Sequence, residues 1–165
     1  MLKKFAVLAM GAALAVSISA CGKQEQPPAG QQQPSASPNL ALPQKGQEAT
    51  VTLPPDVKGK WKAITVSVTD KKTQATKELT VKLGEEQKIP GSKLSIKAVE
   101  FLPSFVMQGL NITSASNEPA NPAAQVIITE DGKEIFKGWL FLKFPTTHAF
   151  QHPEYSVVLT GGVPA

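Results

Sequence analysis

Apolar and polar residues alternate with a period of two over most of the chain beyond residue 60, which predicts strands. In WKAITVSVTD, Ile64, Val66 and Val68 alternate with Thr65, Ser67 and Thr69. In KELTVKLG, Leu79, Val81 and Leu83 alternate with Glu78, Thr80 and Lys82. The polar residues 70–76 turn the chain between them, so the pair reads as an antiparallel hairpin with one wet face. Pro90-Gly91 is a turn dipeptide. In the KLSIKAVEFL that follows, Leu94, Ile96 and Ala98 share one face, while Val99 and Phe101 take the other. That change of phase predicts a bulge or a switch of sheet. After Pro103, residues 105–112 (FVMQGLNI) predict one further strand, and NEPANP is turn-rich.

The clearest hairpin centres on Asp131-Gly132, a strong signal for a two-residue turn. Counting outward from it pairs Glu130 with Lys133, Ile128 with Ile135, Ile127 with Phe136 and Ala124 with Trp139. This register puts Ile128, Ile135, Trp139 and Phe141 on one face and Ile127, Phe136, Leu140 and Leu142 on the other. Two apolar faces predict a central hairpin, not an edge. Gly138 inside the strand marks a bulge or a close backbone approach. Pro145 ends the strand, THAFQHP forms a loop, and residues 155–160 close as a last strand before Gly161-Gly162. No segment sustains a helical apolar period. The expected architecture is all-β: a single small β-sandwich, immunoglobulin-like, or a partly open barrel.

The first 56 residues follow different rules. Lys3 and Lys4 precede an uncharged apolar run over residues 5–18. That run falls short of the ~20 apolar residues of a spanning helix and fits the apolar region of a secretory signal. It ends in Ile18-Ser19-Ala20-Cys21-Gly22, which resembles the bacterial lipobox, where the cysteine is lipidated and becomes the mature N-terminus. Cys21 is the only cysteine, so lipidation would leave no unpaired thiol, disulfide or thiolate chemistry. Gly22 after the cysteine resembles an outer-membrane address. Residues 22–56 are rich in Gln, Pro, Ala and Ser and hold half of the chain's 14 prolines. Such a segment buries too little apolar surface to order itself and reads as a tether. About 35 residues span roughly 30 Å as a coil and about 100 Å as polyproline II. Within it, Val51 to Leu53 predict a short strand docked on the domain edge before Pro54-Pro55. The division is therefore a signal at 1–20, lipidated Cys21 and tether at 21–56, a β domain at 57–162 and a tail at 163–165.

Charge narrows the function classes. The chain carries a net +4, two of which lie in the signal at Lys3 and Lys4. Its basic side chains are all lysine, without one arginine. Arginine is the usual reader of phosphate and base edges, so nucleic acid is not an expected partner. His148 and His152, the only histidines, stand four apart between Pro145 and Pro153. On a helix that spacing would set two imidazoles side by side for a metal, with Glu154 or Met107 as a third ligand, but the flanking prolines favour a loop. No CxxCH, glycine-rich phosphate loop or dinucleotide fingerprint occurs, so no cofactor is expected. Nothing singles out a catalytic serine or a pair of carboxylates among ten glutamates. Trp61, Trp139, Phe101, Phe105 and Tyr155 would make an aromatic platform if exposed, and core if not.

FVMQG, SASNEPANPAAQV, EDGKEIFKGWLF and HPEYSVVL together resemble an uncharacterised bacterial envelope lipoprotein family. Its domain of unknown function carries a GWLF strand followed by a loop containing His-Pro. The resemblance spans about residues 57–160 and implies an exported, often lipid-anchored β domain with no catalytic residues to carry over. A looser similarity to extracytoplasmic β domains of cytochrome c assembly proteins implies only a shared fold. The expected function is a lipid-anchored, non-enzymatic binding or assembly module facing the periplasm, held to the outer membrane by Cys21. Its expected partner is another envelope protein. The candidate interaction loop is His148, His152 and Pro153, with Trp139 beside it. The alternative is a metal- or haem-handling protein using His148 and His152, and less favoured is an envelope hydrolase.

Overall fold

The computed structural model describes residues 49–165. Residues 1–48, which include the expected signal, Cys21 and most of the expected tether, lie outside the described residues. Ten strands form: β1 (Thr50–Val51), β2 (Trp61–Asp70), β3 (Thr76–Lys82), β4 (Glu86–Lys88), β5 (Leu94–Leu102), β6 (Phe105–Gln108), β7 (Asn111–Ser114), β8 (Ala123–Glu130), β9 (Lys133–Phe141) and β10 (Tyr155–Pro164). They make three small sheets, ordered β10-β2-β3, β4-β5-β8-β9 and β1-β7-β6. The first two face each other as a small β-sandwich, and no closed barrel forms among the described residues. Ile64, Val66, Val68, Val81, Val157 and Leu159 from one sheet meet Leu94, Ile96, Ala98, Phe101, Val126, Ile128 and Leu140 from the other in one buried core. Except across the step from Ala98 to Phe101, these residues stand at alternate positions within each strand because a strand's side chains alternate between faces.

The small third sheet covers part of the outer face of β5-β8-β9. There Leu102, Phe105, Ile112, Ala123, Trp139 and Phe141 form a second buried cluster. Residues 105–112 are thus a hairpin rather than one strand, turning at Gly109, whose φ is +60°. β1 runs parallel to β7 and brings Val51 and Leu53 against the second cluster, so the expected docked strand is present. Strand structure is present before residue 57, at β1, and β10 runs through residue 163 to Pro164, so the expected tail overlaps a strand. Gly162 lies where a Cβ would come within 2.5 Å of Phe101 and 2.9 Å of Trp61, so β10 passes under that aromatic pair as bare backbone.

Two bulges set which face each side chain takes. Pairing between β5 and β8 shifts between Ala98 and Glu100, leaving Val99 unpaired and exposed at the expected phase change. Phe101, expected on Val99's face, instead returns to the main core with Leu94, Ile96 and Ala98, because the bulge adds one residue. Asp131 and Gly132 adopt φ of 48° and 81°, as a tight primed turn requires, and Glu130 faces Lys133. The next part of the register differs from expectation. Ile135 is an extra, exposed residue, so Ile128 pairs with Phe136, Ile127 with Lys137 and Ala124 with Leu140. One inserted residue exchanges the faces of every residue beyond it. Leu140 and Phe136 therefore join Ile128 in the main core, while Trp139 and Phe141 point outward under the small sheet.

The hairpin is also not wholly central, since β8 lies inside its sheet and β9 at the edge. Residues 142–154 shield that edge. They leave from the end where Phe141 pairs with Ala123 and return to the end where Tyr155 pairs with Asp70. Midway, Phe150 enters the main core and meets Phe136 edge-on at 5.6 Å. This strap closes the side of the sandwich between β9 and β10, one of the ways sheet edges are protected.

Candidate functional site

The ends of β2, β8 and the strap meet the starts of β3, β5 and β10 at one end of the sandwich. Its loops are built from short-range polar contacts. The Asp70 carboxylate accepts the N–H groups of Lys72 (2.8 Å) and Thr73 (3.0 Å), which fixes the β2–β3 turn. Those backbone hydrogen bonds hold its carboxyl below the usual range. In the β4–β5 loop, Gly91 has φ +82°. Ser92 Oγ donates to the Ile89 carbonyl (2.9 Å) and accepts the Leu94 N–H (3.0 Å).

The strap is tied to these loops. Lys71 donates its backbone N–H to the Glu154 carbonyl (2.8 Å) and its ammonium to the His152 carbonyl (2.6 Å). Lys72 pairs with Glu154, and this hydrogen-bonded pairing lowers the carboxyl and raises the ammonium from their ordinary values. Lys93 pairs with Asp131 at 3.1 Å, which raises the lysine. Tyr155 donates its hydroxyl to the Gly91 carbonyl at 3.3 Å.

His152 is the pivot of the strap. Its ring is buried, stacked on Phe150 at 5.7 Å and flanked by Tyr155 at 5.5 Å. Nδ1 accepts the N–H groups of Glu154 and Tyr155, both at 3.2 Å. That leaves Nε2 facing Glu130, 3.5 Å from a carboxylate oxygen. The ring therefore satisfies two backbone donors at the start of β10. His148 is exposed in a turn with φ +50°. The structure does not bring His148 and His152 together as a ligand pair. Of the suggested third ligands, Glu154 is held by Lys72 and Met107 packs on the second cluster. Among the described residues, no group of three or more His, Cys, Asp or Glu is arranged to hold a metal. Pro153 is exposed at this end.

Trp139 belongs elsewhere. It is buried, edge-on to Phe105 at 5.1 Å, and forms core beneath the small sheet rather than part of the loop surface. Its placement follows from the Ile135 bulge. Cys21 lies outside the described residues.

A feature not expected from the sequence is a cleft of about 190 Å³ between the β3 edge and the β4–β5 loop. Val68, Leu79, Ile89 and Pro90 give it apolar walls, and Asp70, Lys77, Gly91 and Tyr155 also line it. A wider polar recess shares Gly91 and Tyr155 and adds Lys88, Ser92, Lys93, Glu130 and Glu154. One signal was present in the sequence. Lys77 stands in phase with Leu79 and Val81, a lysine on the inward row at a strand's start. The loop that makes the opposite wall is non-local and carries no such signal.

Fold and cleft together define a small β-sandwich with one loop-walled polar end. The chain belongs to a family of uncharacterized proteins conserved in bacteria, DUF2155, whose model matches residues 64–161. No curated protein and no solved structure matches the chain.

Proposed function

We propose that this chain is a lipid-anchored, non-enzymatic binding or assembly module of the bacterial envelope, tethered through Cys21. It faces the periplasm from the outer membrane, and its partner is another envelope protein met at the polar end of the sandwich. The observation that carries this reading is the placement of the only cysteine. Cys21 follows a basic start and an apolar run, and roughly thirty residues separate it from the first strand among the described residues. A thioether-linked diacylglycerol with a third acyl chain anchors stably, since each buried methylene contributes about 0.8 kcal/mol. The knitted loops at the polar end support a rigid contact surface, because a preorganised surface loses less freedom on binding.

The alternative, a metal- or haem-handling protein using His148 and His152, has little geometric support. Nδ1 of His152 is engaged by two backbone donors, and the ring is buried. The test is to feed cells a clickable palmitate analogue, fractionate them, and place a photo-crosslinking residue at exposed Pro153 or Lys93. Label at Cys21, lost in Cys21→Ser, and a discrete crosslinked envelope protein are expected. An unmodified Cys21 thiol would remove the anchor, and crosslinks no different from those at Lys58 would remove the binding role.

A further inference from the structure

The small sheet differs in chemistry from the rest of the domain. Although 18% of the chain is charged, no charged residue lies from Ala49 to Pro55 or between Glu100 and Glu118. Those two stretches supply all of β1, β6 and β7. Val51, Phe105 and Ile112 turn inward onto the second cluster. Alternation gives the other face to Thr50, Thr52, Val106, Gln108, Asn111 and Thr113. Part of its polar demand is met within the sheet. Thr113 donates its hydroxyl to the Thr52 carbonyl (2.7 Å), and Thr52 donates its own to the Asn111 side-chain carbonyl (3.3 Å). A neutral, internally hydrogen-bonded face loses little on leaving water, whereas a charged face loses far more.

Position adds to composition. The described chain begins at Ala49 and enters the fold as β1, an edge of this sheet, so a lipid on Cys21 would hold the domain by this edge. Here Thr50 donates its N–H to the Leu110 carbonyl (2.8 Å), and Leu110 stands exposed at the tip of the β6–β7 hairpin. The sheet is rooted beside Leu102 and Ala123. That is the opposite end of the β5–β8 pair from Leu94, Glu130 and the charged loops.

We propose that this sheet, led by Leu110, is the face the domain rests on a lipid surface, leaving the charged loop end free for a protein partner. This rests on the lipid anchor at Cys21 and adds an orientation to it. The contact is made by neutral side chains, so it does not depend on anionic lipid. Anchoring makes it intramolecular, and a weak contact then suffices because effective concentration stands in for affinity.

In the test, isotope-labelled full chain is coupled through Cys21, its only cysteine, to a maleimide-bearing lipid in phosphatidylcholine nanodiscs doped with a gadolinium-chelating lipid. The amide signals of Thr50, Gln108, Gly109 and Leu110 are expected to broaden several-fold more than those of Gly91, Asp131 and Glu154. Leu110→Glu, at an exposed position, should bring the tip down to the level of the charged loops while the thermal melt stays unchanged. Gln108→Glu, also exposed, should do the same. Even broadening throughout, stronger broadening at the charged loops, or an unchanged tip in both variants would overturn the proposal. So would tip broadening that requires phosphatidylglycerol or disappears in high salt, which would assign the contact to lysines. A photo-crosslinker at Leu110 that captures a discrete envelope protein in place of lipid would overturn it too, making the sheet a protein interface. Chemical coupling replaces natural lipidation, so an unmodified Cys21 in cells would remove the anchor without altering this measurement.

Discussion

Two aromatic side chains singled out by the sequence have separate duties, and substitution distinguishes them. Trp139 is buried between Phe105 and the outer face of its sheet. Trp139→Ala should destabilise the domain by about 3–5 kcal/mol, as truncating a buried aromatic does, measured by denaturant unfolding. His152 acts through hydrogen bonds. His152→Leu keeps comparable bulk beside Phe150 but leaves the N–H groups of Glu154 and Tyr155 without their acceptor. The expected loss is about 1–3 kcal/mol, with faster amide exchange confined to residues 152–155. An equal rise in exchange across β5 and β8 would show that the role of His152 is not local.

At the scale of elements, the strands were legible where alternation is strict, as in Ile64-Val66-Val68 and Leu79-Val81. The bulge at Val99 was legible because it breaks that alternation. The bulge at Ile135 was not, because KEIFKGWLF is apolar on both phases and either register buries hydrophobes. The edge position of β9 was hidden for a related reason. Its second apolar face is covered by the small sheet and its edge by the strap, both non-local, and the cleft wall at Ile89-Pro90 is non-local too. The bulge makes a sharp prediction. Removing Ile135 deletes the unpaired residue and keeps Phe136 opposite Ile128 and Leu140 opposite Ala124. That deletion should retain the native amide spectrum outside the turn. Removing Lys137 instead moves Trp139 and Leu140 to each other's faces, and this variant should fail to give a cooperative melt. Equal tolerance of both deletions would mean that the register is not set by burial.

For the whole molecule, acid stability depends on where its carboxylates sit. Asp70 and Glu154 hold the β2–β3 turn and the base of the strap, and both carboxyls are lowered from ordinary values of 3.8 and 4.5. A lowered folded-state value means that the unfolded chain binds the proton more readily. Their contribution is present above those ordinary values and is lost as pH falls through the lower folded values. Glu100 opposes them. It is partly buried on β5, where desolvation raises its carboxyl above 4.5 despite the hydrogen bond it accepts from the Phe101 N–H. Its cost appears as pH rises from about 4.5 through the raised folded value, and it persists at neutral pH. Glu100→Gln should therefore raise the thermal midpoint at neutral pH, with the advantage fading as pH falls below about 4.5. The D70N/E154Q pair should do the reverse. It should lower the midpoint at neutral pH, flatten the acid limb and converge with the parent once both native carboxyls are protonated. The Glu154 share comes from its partly exposed pairing with Lys72, so that part of the second effect should shrink in high salt. The Glu100 effect, which comes from burial, should not. Thermal melts across the acid range at low and high salt separate the two, and a Glu100→Gln gain that vanishes with salt would assign that shift to neighbouring charge instead of desolvation.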